Sequence, residues 1–225
     1  MSALIQDLRY GLRMLWKSSA TTLVAVLTLG LGIGANTTIF SWVRALLIDP
    51  LPAVREMERL AVLSVSNADG SESSLSYPDF VDYRDRSEML EGLAAYDLQA
   101  VNLGGGGKPE RVWGMIVSGN YFDVMGVTPT LGRGFLPAED REPGAHPVAV
   151  INHGLWQRRF GGDASIVGRE IPINNRAFTV VGIAPPDFQG SFPGLGLDVW
   201  VPLMMQTALV PGGDRLQERG NHWLD

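Results

Sequence analysis

Cysteine is absent from the 225 residues. This excludes a disulfide framework, a thiolate metal site and a thiol nucleophile, and it leaves the compartment undecided. Histidine is scarce, and His146, His153 and His222 offer no pair four residues apart with the nearby carboxylates of a zinc site. His153, before Gly154, reads as the first residue of a helix. Ser118-Gly119 and Ser191 lack the G-x-S-x-G setting of a serine hydrolase. Basic residues are outnumbered 18 to 24, giving a net charge of −6. Removing Arg9, Arg13, Lys17 and Asp7 leaves 15 basic against 23 acidic residues beyond position 43, or −8. Nucleic acid, which calls for a basic patch, is therefore not an expected partner.

Charge is missing most conspicuously from Ser18–Val43, twenty-six residues without Asp, Glu, Lys or Arg. As a helix this run reaches roughly 39 Å, more than the hydrocarbon core of a bilayer. Two rival readings fail. Gly30-Leu-Gly32-Ile-Gly34-Ala35 satisfies G-x-G-x-x-A and Asp49 lies nineteen residues after Gly30, but no amphipathic helix follows and Pro50-Leu-Pro52 interrupts the next strand. A cleaved signal peptide needs small residues at the cleavage site, whereas Ile33 is bulky and apolar residues continue to Leu46-Leu47-Ile48. An uncleaved anchor is the expectation. Gly30 and Gly34 form G-x-x-x-G, which lets two membrane helices approach closely, while Trp16, Lys17 and Trp42 stand where interfacial anchors belong.

The rest of the chain divides around this run. Residues 1–17 place Leu4, Ile5, Leu8, Leu12, Leu15 and Trp16 at helical spacing, as in an amphipathic helix on the inner membrane surface. Residues 18–48 comprise the span and its extension, and 49–225 a folded outer domain. The excess of Arg and Lys before the span predicts a cytoplasmic N-terminus. In the outer domain the pattern predicts strands at Leu60–Val65, Leu93–Val101, Arg111–Val117, Val148–Ile151, Ile171–Ile173, Phe178–Ile183 and Val199–Val201. Helices are expected from Tyr77-Pro78-Asp79, with Phe80, Tyr83 and Leu90 inward, at Asn120–Met125, and at Leu155–Phe160 before Gly161-Gly162. Asn174-Asn175 signals a hairpin. The mixture without regular βαβ alternation makes the class α+β.

Catalytic chemistry finds no support. Gly104-Gly-Gly-Gly107-Lys108-Pro109 has proline where a phosphate loop needs Ser or Thr, so it reads as a hairpin loop. Glu139-Asp140 reads as solvated loop charge. No catalytic residue, cofactor or metal is nominated, and the chain is expected not to be an enzyme.

Several stretches together resemble the MacB/FtsX-like family of ABC-transporter permeases, in particular the acidobacterial duplicated orphan type. They are LTLGLGIGANTTIFSWVRALLIDPLP (27–52), SYPDFVDYRD (76–85), EGLAAYD (91–97), VSGNYFDVMGVTPTLGRGF (117–135), PVAVINHGLWQRRFGGDASIVGREIPINNRAFTVVGIAPPDFQG (147–190) and DVWVPL (198–203). The resemblance implies a first transmembrane helix followed by a MacB-like periplasmic core domain of two interleaved lobes, in the bacterial inner membrane. It further implies further permease helices or a homodimer, and a separate cytoplasmic subunit that hydrolyses ATP and drives export or extracytoplasmic work through mechanical coupling. With no second span before Asp225, the chain is expected to be the N-terminal portion of such a permease. A stand-alone, single-span scaffold or binding domain is the alternative.

Overall fold

The computed structural model describes all residues except 1–8, 11–12, 44–52, 55, 67–69, 71, 105–107, 193, 211 and 225. Most of the expected interface helix, the extension of the span past Val43 and the Pro50-Leu-Pro52 break lie outside the described residues. The chain divides into two units, Met1–Pro50 and Leu51–Asp225.

In the first unit, helix α1 runs Ser19–Val43, and residues 13–17 are helical as well. Bonds from Ser18 N–H to the Met14 carbonyl and from Thr22 N–H to the Ser18 carbonyl carry the ladder past a turn at Ser18. No proline interrupts α1. The hydroxyls of Thr28, Thr37 and Thr38 donate to the carbonyls of Val24, Ile33 and Gly34 one turn back. These polar groups therefore make no demand on their surroundings.

In the second unit, the two-residue strands β1 (Val65–Ser66) and β2 (Glu72–Ser73) pair antiparallel. Helix α2 (Tyr77–Arg86) follows, capped by Ser76, whose side chain accepts from Asp79 N–H. Then come β3 (Tyr96–Leu103), β4 (Glu110–Val117), α3 (Tyr121–Val124), β5 (Leu131–Gly132), β6 (Val148–Ile151), α4 (His153–Phe160), β7 (Glu170–Ile173), β8 (Arg176–Ile183), β9 (Val199–Pro202) and α5 (Gln206–Leu209). The sheet order is β5-β8-β6-β9-β4-β3-β7, and β7 also pairs with β8. Six strands thus close into a ring with β5 attached outside it. Around the ring β4/β9 and β6/β8 are parallel, and β3/β4, β3/β7, β6/β9 and β7/β8 are antiparallel.

Side chains alternate across this sheet, as the two-residue period of a strand requires. Val112 and Ile116 of β4, Ala149 and Ile151 of β6, and Val199 and Val201 of β9 join one apolar cluster with Leu155 of α4. Met115, Val117, Val150 and Trp200 face the other, with Tyr121 and Phe122 of α3 and with Phe188. Strand β8 would break the alternation but for a bulge: Ala149 pairs with Val180 and Val150 with Gly182. The extra residue, Val181, returns Ile183 to the face of Phe178 and Val180.

Turn chemistry sets the register at one end. Asn174 and Asn175 both have positive φ, 47° and 66°, the backbone of a two-residue hairpin turn that Asn tolerates. Asn174 also accepts from Asn102 N–H at 2.8 Å and donates to the Leu209 carbonyl at 3.2 Å, so the β7–β8 turn is bonded to β3. Gly161 ends α4 at φ 64°.

Two expectations change. Of the Leu60–Val65 stretch only Val65 is strand, pairing together with Ser66 against a strand of two residues. Helix α2 ends at Arg86, so Leu90 is not on it, and Tyr83 is 49% exposed. Its inward contacts come from Phe80, Tyr77 and Val81 instead. Leu51–Asp225 is one compact unit.

At the β5–β8 contact, Gly132 has φ 74° and pairs with Gly182. A Cβ on Gly182 would collide with the Arg133 carbonyl oxygen. Gly182→Ala is expected to destabilise the outer unit by about 1–3 kcal/mol through overpacking. Urea unfolding checks this, and exchange of the Arg133 and Thr130 amides, which bond the Val181 and Ile183 carbonyls, should accelerate first.

Candidate functional site

Helix α1 has the properties of a lipid-facing element. Its stretch Ser19–Ser41 is 23 residues long with a mean hydropathy of 1.8, and none of it is buried within the chain. Apolar side chains project on all sides; Leu31 is 80% exposed, Leu29 64% and Ile33 64%. An amphipathic surface helix would show one polar face. Gly30 and Gly34 are both on α1, and no atom comes within 4 Å of a Cβ built on either. Four residues apart, they share a face that is open to close approach. Trp16 is 85% exposed at the N-terminal end of the helical run, beside Lys17. Trp42 belongs to α1, and its side chain lies outside the description.

In the outer unit, an open cleft of about 390 Å³ lies at the start of α4. Asn152, His153, Arg158, Gln189 and Asp198 contribute its polar lining. The Asn152 side chain accepts from Gly154 and Leu155 N–H, which caps the helix. Arg158 lies 2.8 Å from Asp198, and Arg159 lies 3.0 Å from Glu110, tying α4 to β4. Burial raises the pKa of Asp198, with Arg158 opposing. The charges are thus mostly neutralised against one another. His153 is the first residue of α4, its ring edge-on to Trp156 at 5.3 Å. His222 Nδ1 lies 2.8 Å from the Ser74 carbonyl oxygen. Among the described residues, no three His, Asp or Glu gather in a group that could hold a metal ion.

Glu139 and Asp140 are not solvated loop charges. Glu139 is 7% exposed. Arg133 donates to it with both terminal nitrogens, at 2.9 and 2.7 Å, and Leu136 N–H adds a third bond at 2.8 Å. Burial alone would raise its pKa; the Arg133 bonds and the Leu136 amide outweigh it and hold the carboxyl below the ordinary glutamate range. Asp140 goes the other way, pushed up to about 6 by burial against the pull of the Gly119 amide, the Met204 backbone and the Arg84 charge. The missed signal was local: Pro137 opens a short 3-10 turn, and Glu139 sits where a side chain can reach back to the residue before it.

With this geometry in view, comparison with known proteins identifies the fold. The MacB-like periplasmic core domain matches over residues 22–223. The chain belongs to that family. Over 96 residues it is 29% identical to the macrolide export ATP-binding/permease protein MacB of Aggregatibacter actinomycetemcomitans, covering 43% of this chain and 14% of that protein. The chain thus matches a small part of that relative's length. The periplasmic region of MacB from Actinobacillus actinomycetemcomitans superposes with a TM-score of 0.54 at 15% identity, covering 73% of this chain and 76% of that one. The extracellular domain of the ABC-type transporter YknZ from Gram-positive bacteria gives a TM-score of 0.49 at 16% identity, over 60% of this chain and 65% of that one. The MacB-like domain here accordingly follows an N-terminal apolar helix and has a mixed α/β fold.

Glu139 supplies a test of the corrected site in this MacB-like domain. A carboxyl whose pKa is depressed on folding stabilises the fold above its unfolded value, and that contribution is lost as pH falls through the folded one. Glu139→Gln is expected to cost about 1–2 kcal/mol at neutral pH, toward the low side because Arg133 is partly exposed. Chemical unfolding should show the difference from the parent shrinking as the pH drops below the ordinary glutamate range.

Proposed function

We propose that this chain is the membrane-anchored part of an ABC-transporter permease of the MacB/FtsX kind, coupling ATP hydrolysis on a separate cytoplasmic subunit to export or other extracytoplasmic work. The observation that carries this reading is the extent of the family match, residues 22–223, which takes most of α1 together with the outer domain. A helix and a domain matched as one piece fit a device in which helix movement is passed to the domain.

The division proposed is residues 1–17 at the inner interface, 18–48 across the bacterial inner membrane, and 49–225 in the periplasm. Arg9, Arg13 and Lys17 against Asp7 favour a cytoplasmic N-terminus. Trp16 and Trp42 are twenty-six residues apart, roughly 39 Å along a helix, which suits the two headgroup regions. The Gly30–Gly34 face would take a second copy of the helix or another permease helix at close range, where packing substitutes for the hydrophobic force that lipid removes. We assign the protein no cofactor and no catalytic residue of its own.

Affinity purification of the tagged chain from its native membranes should recover an ATP-binding protein. In the same preparation, the double substitution Gly30→Leu and Gly34→Leu should reduce crosslinking between membrane helices at least severalfold while leaving membrane insertion intact. Recovery of the chain without any ATP-binding protein, and with crosslinking unaffected by the glycine substitutions, would replace the permease reading with that of a single-span scaffold.

A further inference from the structure

Asp140 joins parts of the outer domain that are far apart in sequence. Its Oδ2 accepts from Gly119 N–H at 2.7 Å, across 21 residues. The approach is so close that a Cβ on Gly119 would lie 2.8 Å from the Asp140 Cβ. The Ser118–Asn120 turn held in this way holds the chain before β3: Ala95 N–H donates to Ser118 Oγ at 3.1 Å, and Asn120 Nδ2 donates to the Leu93 carbonyl at 3.0 Å. That chain leads directly from α2. Asp140 Oδ1, by contrast, is buried with no partner in hydrogen-bonding geometry among the described residues, the Met204 backbone being the nearby dipole that favours its charge.

We propose that Asp140 is a protonation-dependent latch on the joint between α2 and β3, closed as the carboxylic acid and loosened as the carboxylate. The reason lies in the orphaned oxygen. As a neutral acid the group brings no net charge into the interior, and Oδ2 keeps its bond to Gly119. As a carboxylate, Oδ1 shares a buried charge that the Met204 backbone offsets only in part, and it gains water only when the turn opens.

The groups that face Asp140 are few. From α2 they are Arg84, whose charge favours the carboxylate, and Tyr77, whose own pKa is raised by burial and by Asp140; Asp85 is paired with Arg84 at 2.8 Å. On its own segment Glu139 is paired with Arg133, and Arg141 is exposed. The turns 118–120 and 203–205 contribute no titratable side chain. The folded pKa, pushed up to about 6, lies above the ordinary aspartate value, so the stabilisation is complete below the ordinary value and is lost as pH rises through about 6. The latch is therefore loosest at neutral pH and tightens on acidification.

Hydrogen exchange of the full chain in phospholipid nanodiscs, corrected for intrinsic rates, tests this without any ATPase. Peptides covering residues 93–95 and 118–120 should open about tenfold more at about pH 7.5 than at about pH 5. Asp140→Asn should abolish that dependence. Arg84→Gln, which removes the cation that favours ionisation, should move the midpoint to higher pH, and it decides the matter alone if Asp140→Asn does not fold. Persistence of the tenfold change in Asp140→Asn, or an unmoved midpoint in Arg84→Gln, would overturn the proposal.

Discussion

Closure of the sheet by β7 is the constraint on which the outer domain depends. β7 pairs with β8 along its whole length but, among the described residues, pairs with β3 only at Leu103 and Ile173, reinforced by Gly104 N–H to the Pro172 carbonyl and Asn174 N–H to the Asn102 carbonyl. These few bonds turn an open sheet into a ring by joining β7 to the end of β3. They also settle what the neighbouring loops can do. Arg159 of α4 donates to the Leu103 and Lys108 carbonyls at 3.3 and 3.0 Å, so the helix is fastened to the same end of β3.

Once the ring is closed, its two faces carry different loads. One collects aliphatic residues from all six ring strands, together with α4 and the C-terminal segment. The other is dominated by rings, with Phe122 beside Tyr121, Phe135, Phe188 and Trp200 at 5.4 to 6.0 Å. The C-terminal segment returns to α2, where Arg219 bonds Asp79 and Asp82 at 2.7 Å each and Leu75 bridges Leu224. The part of the domain around α2 is thus held by charge-assisted bonds in addition to Leu75, Phe80 and Leu224 in the aliphatic core, whereas the ring is held mainly by strand ladders.

Much of this is legible in the sequence. Val148–Ile151 is β6 as read, and Arg111–Val117 and Val199–Val201 each differ from β4 and β9 by one residue, because period-two apolar runs bounded by turns are local signals. The Asn174-Asn175 turn and the Gly161 stop are local for the same reason, since each answers a backbone φ that few residues tolerate. Leu60–Val65 failed because strand formation needs a partner, and sequence pattern alone does not say how long the partner is. The misreading of Glu139 and Asp140 has the same root. Their burial is decided by Arg133 and by Gly119, six and twenty-one positions away, and the sequence marks only the local turn opened by Pro137, not these two contacts.

What the sequence by itself determined is the character of each part: an uncharged run long enough to cross a bilayer, a cysteine-free acidic domain after it, and the local turns that break that domain into strands. Those properties follow from solvation and backbone sterics, which act residue by residue. Only the tertiary structure decided that six strands close through two residues of contact, that a bulge at Val181 keeps β8 in phase with its neighbours, and that of two adjacent carboxylates one is held ionised and the other pushed toward neutrality. Each of these depends on which distant group arrives in hydrogen-bonding range, and that is a property of the packed chain.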